Sequence, residues 1–402
     1  MNLAGIAFAY LRSRGLNTLL IVVLAALGVA TITLLMLAQA QFEDRMTRDA
    51  RGIDLVVGAK GSPMQLILSS IYHLDAPTGN IPLAEARKLE ANRLAVRKAI
   101  PLALGDSFRG FRIVGTTSAY VAHYGASVAE GRLWEKPMEA VLGADVAARA
   151  GLRTGGSLVG SHGLGEGGEV HREHPYAVVG VLARTGTVLD RLVLTAVESV
   201  WHVHDKEQGI TPADRKALGD DEKEITALLI QFASPLALAT LPRMINTRTE
   251  MQAASPAFES ARLFRMMGVG LDVLRAFALV LVLAAALSVF VALSASLADR
   301  RNDLAILRTL GATPGRLFAL LMLEGVLVTL AGAFVGMALG HGFAEGIGAW
   351  LRKAQQADIT GFLFVPGEWW IPVAAVAIGA LAAFVPAWRA ARTDVAATLA
   401  SG

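Results

Sequence analysis

Residues 299–340 read DRRNDLAILRTLGATPGRLFALLMLEGVLVTLAGAFVGMALG. A short charged helix is expected up to Gly311, whose tolerance of positive φ suits a helix stop. Thr313 then caps a second helix with Pro314 at its first position, and that helix continues as a long apolar segment. Leu304, Leu307 and Leu310 recur every third residue, so the short helix carries an apolar stripe. Such a stripe either rests on lipid or fits a groove on a partner. A charged elbow feeding an apolar helix belongs where cytosol meets a bilayer.

The rest of the chain falls into register with that elbow. Of 402 residues, 54% are hydrophobic and 18% charged, with a mean hydropathy of +0.49. This is too apolar for an ordinary soluble protein and too charged for a bundle made of spans alone, so a few membrane helices plus a soluble domain are expected. A net charge of +3 gives no basis for nucleic-acid binding. With no cysteine in the chain, disulfides, thiolate metal sites and cysteine catalysis are excluded.

Crossing a bilayer takes about 20 apolar residues. Four stretches qualify: 18–40, 271–297, 317–342 and 370–388. Basic residues in short loops set the orientation. Arg12 and Arg14 precede the first span. Arg300, Arg301, Arg308 and Arg316 lie between the second and third, and Arg389 and Arg392 follow the fourth. Four spans put all of these on the cytoplasmic side, with both termini inside. The fold class is an α-helical membrane protein with four transmembrane helices and a mixed α/β extracytoplasmic domain. Residues 1–17 read as a cytoplasmic interfacial helix, with Ile6, Phe8, Tyr10 and Leu11 against lipid. Residues 41–270 form the outer domain, 298–316 the cytoplasmic loop, 343–369 a short outer loop and 389–402 a cytoplasmic tail. Ala38-Gln39-Ala40 has the small-residue pattern of a signal cleavage site. The apolar core before it, about 20 residues, exceeds the roughly 7–15 of a signal sequence, so it reads as a retained anchor.

The outer domain mixes strand-like runs with helical patterns. Strands are expected at 53–57, 139–142, 176–182, 192–197 and 225–232, and helices at 83–94 and 144–150, the latter stopped by Gly151. Ser234-Pro235 should open a third helix. Gly155–Gly168 holds seven glycines in fourteen residues and reads as a loop. From Met251 to Gly270, Phe258, Arg262 and Arg265 share helical spacing and suggest a rigid helix leading into the second span. Gly268 and Gly270 each weaken it by about 1 kcal/mol.

Catalytic motifs are missing. Gly58–Ser62 (GAKGS) lacks phosphate-loop spacing and opens no clear helix, so the chain has no visible means of hydrolysing ATP. Neither a His-Glu-x-x-His nor a Gly-x-Ser-x-Gly motif occurs, and the chain does not read as an enzyme. Gly332, Gly336 and Gly340 repeat every fourth residue. They permit close helix packing, within the protomer or across a dimer. Glu324, about 15 Å into the third span helix, either pairs with an arginine near the cytoplasmic surface or snorkels to the interface. Seven of eight histidines lie between His73 and His204, including His162, His171, His174 and His202. Trp201–Asp205 (WHVHD) has the donors of a zinc site if His202 and His204 share a strand face. The plainer reading is exposed loop histidines, and no metal ligand is assigned.

Arg301–Pro314 (RNDLAILRTLGATP) closely resembles the cytoplasmic loop of FtsX-like ABC transporter permeases, the MacB/LolC superfamily of the type VII, mechanotransmission class. The outer domain resembles the MacB-like periplasmic core at 53–62 (IDLVVGAKGS), Glu130-Gly131-Arg132, 140–156 (AVLGADVAARAGLRTGG), 178–182 and 186–190. The resemblance implies a bacterial inner-membrane permease whose large domain is periplasmic. It implies pairing with a second permease, identical or related, above a cytoplasmic ABC ATPase dimer. ATP and Mg²⁺ would be bound by that ATPase, and this chain would carry no cofactor. Other implied partners are membrane lipid and a periplasmic adaptor or substrate protein. A coupling helix at about 299–310 would dock on the ATPase. Leu304 and Leu307 would fill its groove, Asp303 and Arg308 would orient it, and Gly311 and Pro314 would set the turn. Family members extract lipoproteins, export peptides or small hydrophobic compounds, or activate periplasmic hydrolases without transport. Asp303 stands where the family often has glutamate.

Overall fold

The computed structural model describes residues 3–163, 173–207, 219, 222–353 and 359–392. His171, the glycine-rich loop from Leu164 onward, Asp358 and the tail from Thr393 lie outside the described residues. So do the side chains of His204 and Asp205. The chain divides into two compact units, Met1–Glu43 with Met267–Gly402, and Asp44–Met266.

The described helices, in chain order, are α1 (Leu3–Ser13), α2 (Gly15–Asp49), α3 (Pro63–Ser70), α4 (Leu83–Ala91), α5 (Ser118–His123), α6 (Ala144–Ala150), α7 (Val197–Glu207), α8 (Pro235–Arg248), α9 (Pro256–Asp299), α10 (Arg301–Thr309), α11 (Pro314–Lys353) and α12 (Trp370–Ala391). The strands are β1 (Leu55–Ala59), β2 (Ile81–Pro82), β3 (Val96–Phe108), β4 (Phe111–Thr116), β5 (Val128–Gly131), β6 (Glu139–Leu142), β7 (Ser157–Leu158), β8 (Ser161–His162), β9 (Tyr176–Leu182), β10 (Leu192–Ala196), β11 (Glu224–Ile225), β12 (Ala227–Phe232) and β13 (Met251–Ala254).

In the helical unit, the long segments of α2, α9, α11 and α12 are apolar and long enough to cross a membrane. Glycines set their contacts. A Cβ on Gly332, Gly336 or Gly340 of α11 would lie 2.6–2.7 Å from Ala25, Val29 or Thr33 of α2. The every-fourth-residue stripe therefore packs inside the chain, backbone to backbone. Between α11 and α12, Gly325 faces Ala383 and Gly379 faces Thr329. Thr329 Oγ1 also donates across to Ala375 O at 2.8 Å. Residues 343–353, expected as loop, continue α11 to Lys353. The returning chain is tied to that extension. Glu345 accepts from Gly361 N and Thr360 Oγ1 at 2.9 and 3.0 Å. His341 Nε2 sits 2.8 Å from the buried Glu368 carboxylate.

The other unit is built on one sheet in the order β13-β1-β12-β3-β4-β10-β6-β9-β5, with β7 on β9 and β8 on β3. β10 runs parallel to β4, and β6 parallel to β9. β3 joins the halves, pairing with β12 from Val96 to Leu102 and with β4 from Ala103 to Phe108. This strand was not anticipated. It contains Pro101, and from Leu102 on it is buried on both faces apart from Gly105, so apolar and polar residues do not alternate. Two cores result. One gathers Leu55, Val57, Leu89, Leu228 and Ile245; the other gathers Ile113, Leu142, Val146, Val178 and Val193.

Other differences are local. Val197 leaves the expected strand 192–197 and begins α7, because Val197, Val200 and Val203 bury a helical stripe. WHVHD is therefore helical, so the strand that would have set His202 and His204 on one face does not form there. Thr226 interrupts the expected strand 225–232, its hydroxyl accepting from Leu104 N at 2.9 Å. Ser62 does open a helix, α3, by accepting from Gln65 N at 3.4 Å. Ser234 occupies the N-cap of α8 without a side-chain capping bond. Residues 251–254 pair with β1 as a strand, and α9 then runs unbroken through Gly268 and Gly270.

Candidate functional site

The elbow between α9 and α11 is closed by backbone geometry. After α10, Gly311 takes φ +94°. Gly311 N donates to Arg308 O at 3.1 Å and Ala312 N to Leu307 O at 3.0 Å. This is the paired bonding of a Schellman stop, in which a glycine at positive φ satisfies the last carbonyls. Thr313 Oγ1 accepts from Arg316 N at 3.4 Å, and Pro314 opens α11. Gly311 and Pro314 thus occupy the turn positions.

The six elbow residues divide by side. Leu304 is 4% exposed and packs with Val289, Leu293, Leu317 and Leu321 of the chain's own helices; Leu307 is half-buried against the same cluster. Both leucines hold α10 to the bundle, a different placement from the partner groove expected for them. Burying a leucine stabilises by about 1.5–3 kcal/mol, which firmly fixes this orientation. Asp303 is exposed and Arg308 half-buried. Among the described residues, the large apolar side chains that the elbow exposes are Ile306 and Leu310, at 50% and 74%. With Asp303 they fall at i, i+3 and i+7, one face of the helix. Sequence spacing pointed to a stripe at 304, 307 and 310. It could not say which half of the stripe the bundle claims.

A second feature anchors the elbow. Arg300, the N-cap of α10, reaches Glu324 of α11 at 3.4 Å, the two side chains being 11% and 3% exposed. The Arg300 guanidinium also lies over the Tyr10 ring of α1, 3.9 Å from its centroid. Glu324 is therefore paired and buried inside the unit rather than snorkelling, and Tyr10 serves as a cation–π platform. Arg14, Ser296, Arg300 and Glu324 border a cavity of about 40 Å³ beside this pair. Arginine stacking across α1 has no signature in the sequence, because the three residues come from separate segments.

A larger cavity of about 330 Å³ opens among α2, α9 and α12. Val29, Ile32, Met36, Leu279, Val282 and Ile371 give it an almost wholly apolar lining. Among the described residues no group of three or more His, Cys, Asp or Glu side chains gathers as a metal site.

Two family models match the chain. One, described as MacB-like periplasmic core domain, covers residues 16–248. The other, described as FtsX-like permease C-terminal, covers residues 275–395. Matched over more than half its length, the chain belongs to the FtsX/MacB-type family of ABC permeases. Its class is the membrane subunit of ABC transporters, a family whose ATPase is a separate polypeptide. Among solved structures it is similar to the periplasmic region of MacB from Actinobacillus actinomycetemcomitans. Identity is 12%, coverage is 54% of this chain and 97% of that one, and the TM-score is 0.35. No curated protein matches.

Proposed function

We propose that this chain couples ATP hydrolysis in a cytoplasmic ATPase dimer to movement of its own outer domain, in order to extract or export an apolar substrate from a bacterial inner membrane. The observation that carries the reading is the two-sided elbow. Leu304, Leu307 and Arg300 bind α10 to the bundle, while Asp303, Ile306 and Leu310 face away from it. A displacement applied to the outward face is passed to α9 and α11 without a flexible joint, since Gly311 N and Ala312 N each donate back to a carbonyl of α10. In this reading both termini and the elbow are cytoplasmic, and residues 44–266 are periplasmic. ATP and Mg²⁺ belong to the partner ATPase, and the permease works with a second copy or a related chain. The apolar cavity among α2, α9 and α12 favours an acyl-bearing or otherwise hydrophobic substrate over pure signalling.

The test is ATPase stimulation in the reconstituted complex. Ile306→Asp places a charge on the outward face without touching the core and is expected to lower stimulation at least tenfold while the permease remains folded. Wild-type stimulation by Ile306→Asp and by Leu310→Asp refutes the assignment of this face.

A further inference from the structure

Residues 359–369 read ITGFLFVPGEW and lead into α12. A loop in water can leave its backbone to the solvent. This one does not. Arg352 Nη1 donates to Ile359 O at 2.9 Å. Gln41 of α2 bonds Thr360 twice, accepting from its N at 2.8 Å and donating to its O at 2.9 Å. Gly361 N donates to Glu345 at 2.9 Å, and Gly361 O accepts from His341 Nδ1 at 2.6 Å. Phe362 N donates to Thr360 Oγ1 at 3.1 Å, and Val365 N to Glu368 Oε1 at 2.9 Å. From Ile359 O to Phe362 N, each backbone donor and acceptor meets a side chain. Glycine permits the close approach, since a Cβ on Gly361 would stand 2.1 Å from His341 O.

The polar groups of this segment face in and the apolar ones face out. Glu368 and Gly361 are buried, whereas Phe362 is 89% exposed and Leu363, Phe364 and Trp369 are exposed with it. In water that arrangement is inverted. In a bilayer it is the one required, because irregular backbone near hydrocarbon must find its partners within the protein. Three observations name lipid as the occupant of this surface. The patch is continuous with the exposed apolar side chains of two span helices, Phe343 and Ile347 on α11 and Trp370 and Val373 on α12. Helix α12 has 22 residues from Trp370, about 33 Å at 1.5 Å per residue, so Trp369 and Trp370 stand at the rim of a hydrocarbon core about 30 Å thick. Tryptophan is the residue enriched at that level. Phe364 meets Trp369 edge-on at 5.6 Å, which brings the loop's own aromatics to the same depth.

We propose that residues 359–369 form a wedge seated in the outer leaflet, with Phe362, Leu363, Phe364 and Trp369 among headgroups and acyl chains and with Gln41, His341, Glu345 and Arg352 as its polar frame. The segment is thus a membrane anchor for the outer end of the α11–α12 pair instead of an aqueous loop. The proposal rests on the reading of this chain as a membrane protein but not on the elbow.

The chain has no cysteine, so a single introduced cysteine can carry a nitroxide. The full-length chain is reconstituted in bilayers of phosphatidylethanolamine and phosphatidylglycerol and labelled at Phe362→Cys. Power saturation then measures access by oxygen, which concentrates among acyl chains, and by a nickel chelate, which stays in water. Leu381→Cys, exposed halfway along α12, is the lipid reference, and Leu94→Cys, exposed in the sheet-bearing unit, is the water reference. An interfacial segment sits about 5–10 Å into the headgroup and acyl boundary, so the oxygen-to-nickel ratio at 362 is expected to exceed that at 94 by about fivefold or more. Leu363→Cys supplies the same measurement should the first variant not fold. A ratio equal to that at 94 places the loop in water and overturns the proposal. Poor access by both reagents means that protein covers the patch, a second copy or an adaptor, and overturns it too. A label at 381 as open to nickel as the one at 94 defeats the membrane reading itself, and the proposal with it.

Discussion

Removing Arg300 tests whether the elbow is anchored as described. Its guanidinium is 3.4 Å from the Glu324 carboxylate, with 11% and 3% of the side chains exposed. At that distance and an effective dielectric near 20, the Coulomb attraction is about 5 kcal/mol. Arg300→Met deletes it and leaves a buried carboxylate without its partner, for which the expected loss is about 3–5 kcal/mol. Loss of the Tyr10 contact adds roughly 0.5–2 kcal/mol. Replacing both members is another matter. Arg300→Met with Glu324→Met removes the desolvated charges together, and the double variant should lie within about 1 kcal/mol of wild type. Reversible unfolding of the purified protein in mixed micelles, titrated with sodium dodecyl sulfate and followed by circular dichroism, measures all three. If Arg300→Met costs under about 1 kcal/mol, or if the double variant is as unstable as the two singles summed, the pair is not an anchor.

Two further predictions probe the packing and the sheet-bearing unit. Gly336→Val should destabilise by about 1–3 kcal/mol or more, because even a Cβ there stands 2.6 Å from Val29 Cβ. Gly342→Ala, in open space on the same helix, should be neutral or stabilise by up to about 1 kcal/mol; equal effects at the two positions in the same assay would contradict the α2–α11 contact. The other concerns pH. Burial, reinforced by the Arg112 and Arg191 guanidiniums, pushes His73 well below its ordinary 6.5. The unfolded chain then binds a proton that the folded one refuses. Stability is intact above pH 6.5 and falls below it, by about 1.4 kcal/mol per pH unit for this group. His73→Asn, which suits the left-handed backbone at φ +54°, should flatten that slope between pH 6.5 and 5; an unchanged slope in denaturant melts would show that His73 is not the sensor.

Much of the architecture was legible because it depends on local properties. Apolar length marks a potential span whatever its neighbours, and Gly311, Thr313 and Pro314 specify a stop and a restart through φ preference and capping alone. Strand β6 and helix α6 were read at their observed limits for the same reason, with Gly151 at φ +65° ending the helix. β3 was missed because a strand covered on both faces loses the alternation that betrays strands.

The elbow shows the division most clearly. By itself, the sequence determined that a short amphipathic helix precedes a long apolar one, that a glycine repeat runs along the latter, and that Glu324 either pairs with an arginine or snorkels to the interface. The tertiary structure alone decided that Leu304 faces inward and Ile306 outward, that the repeat meets α2, and that Arg300 pairs with Glu324. Periodicity gives the angle between side chains on one helix but not the rotation of that helix against its neighbours. That rotation is set by the summed packing of residues far apart in the chain.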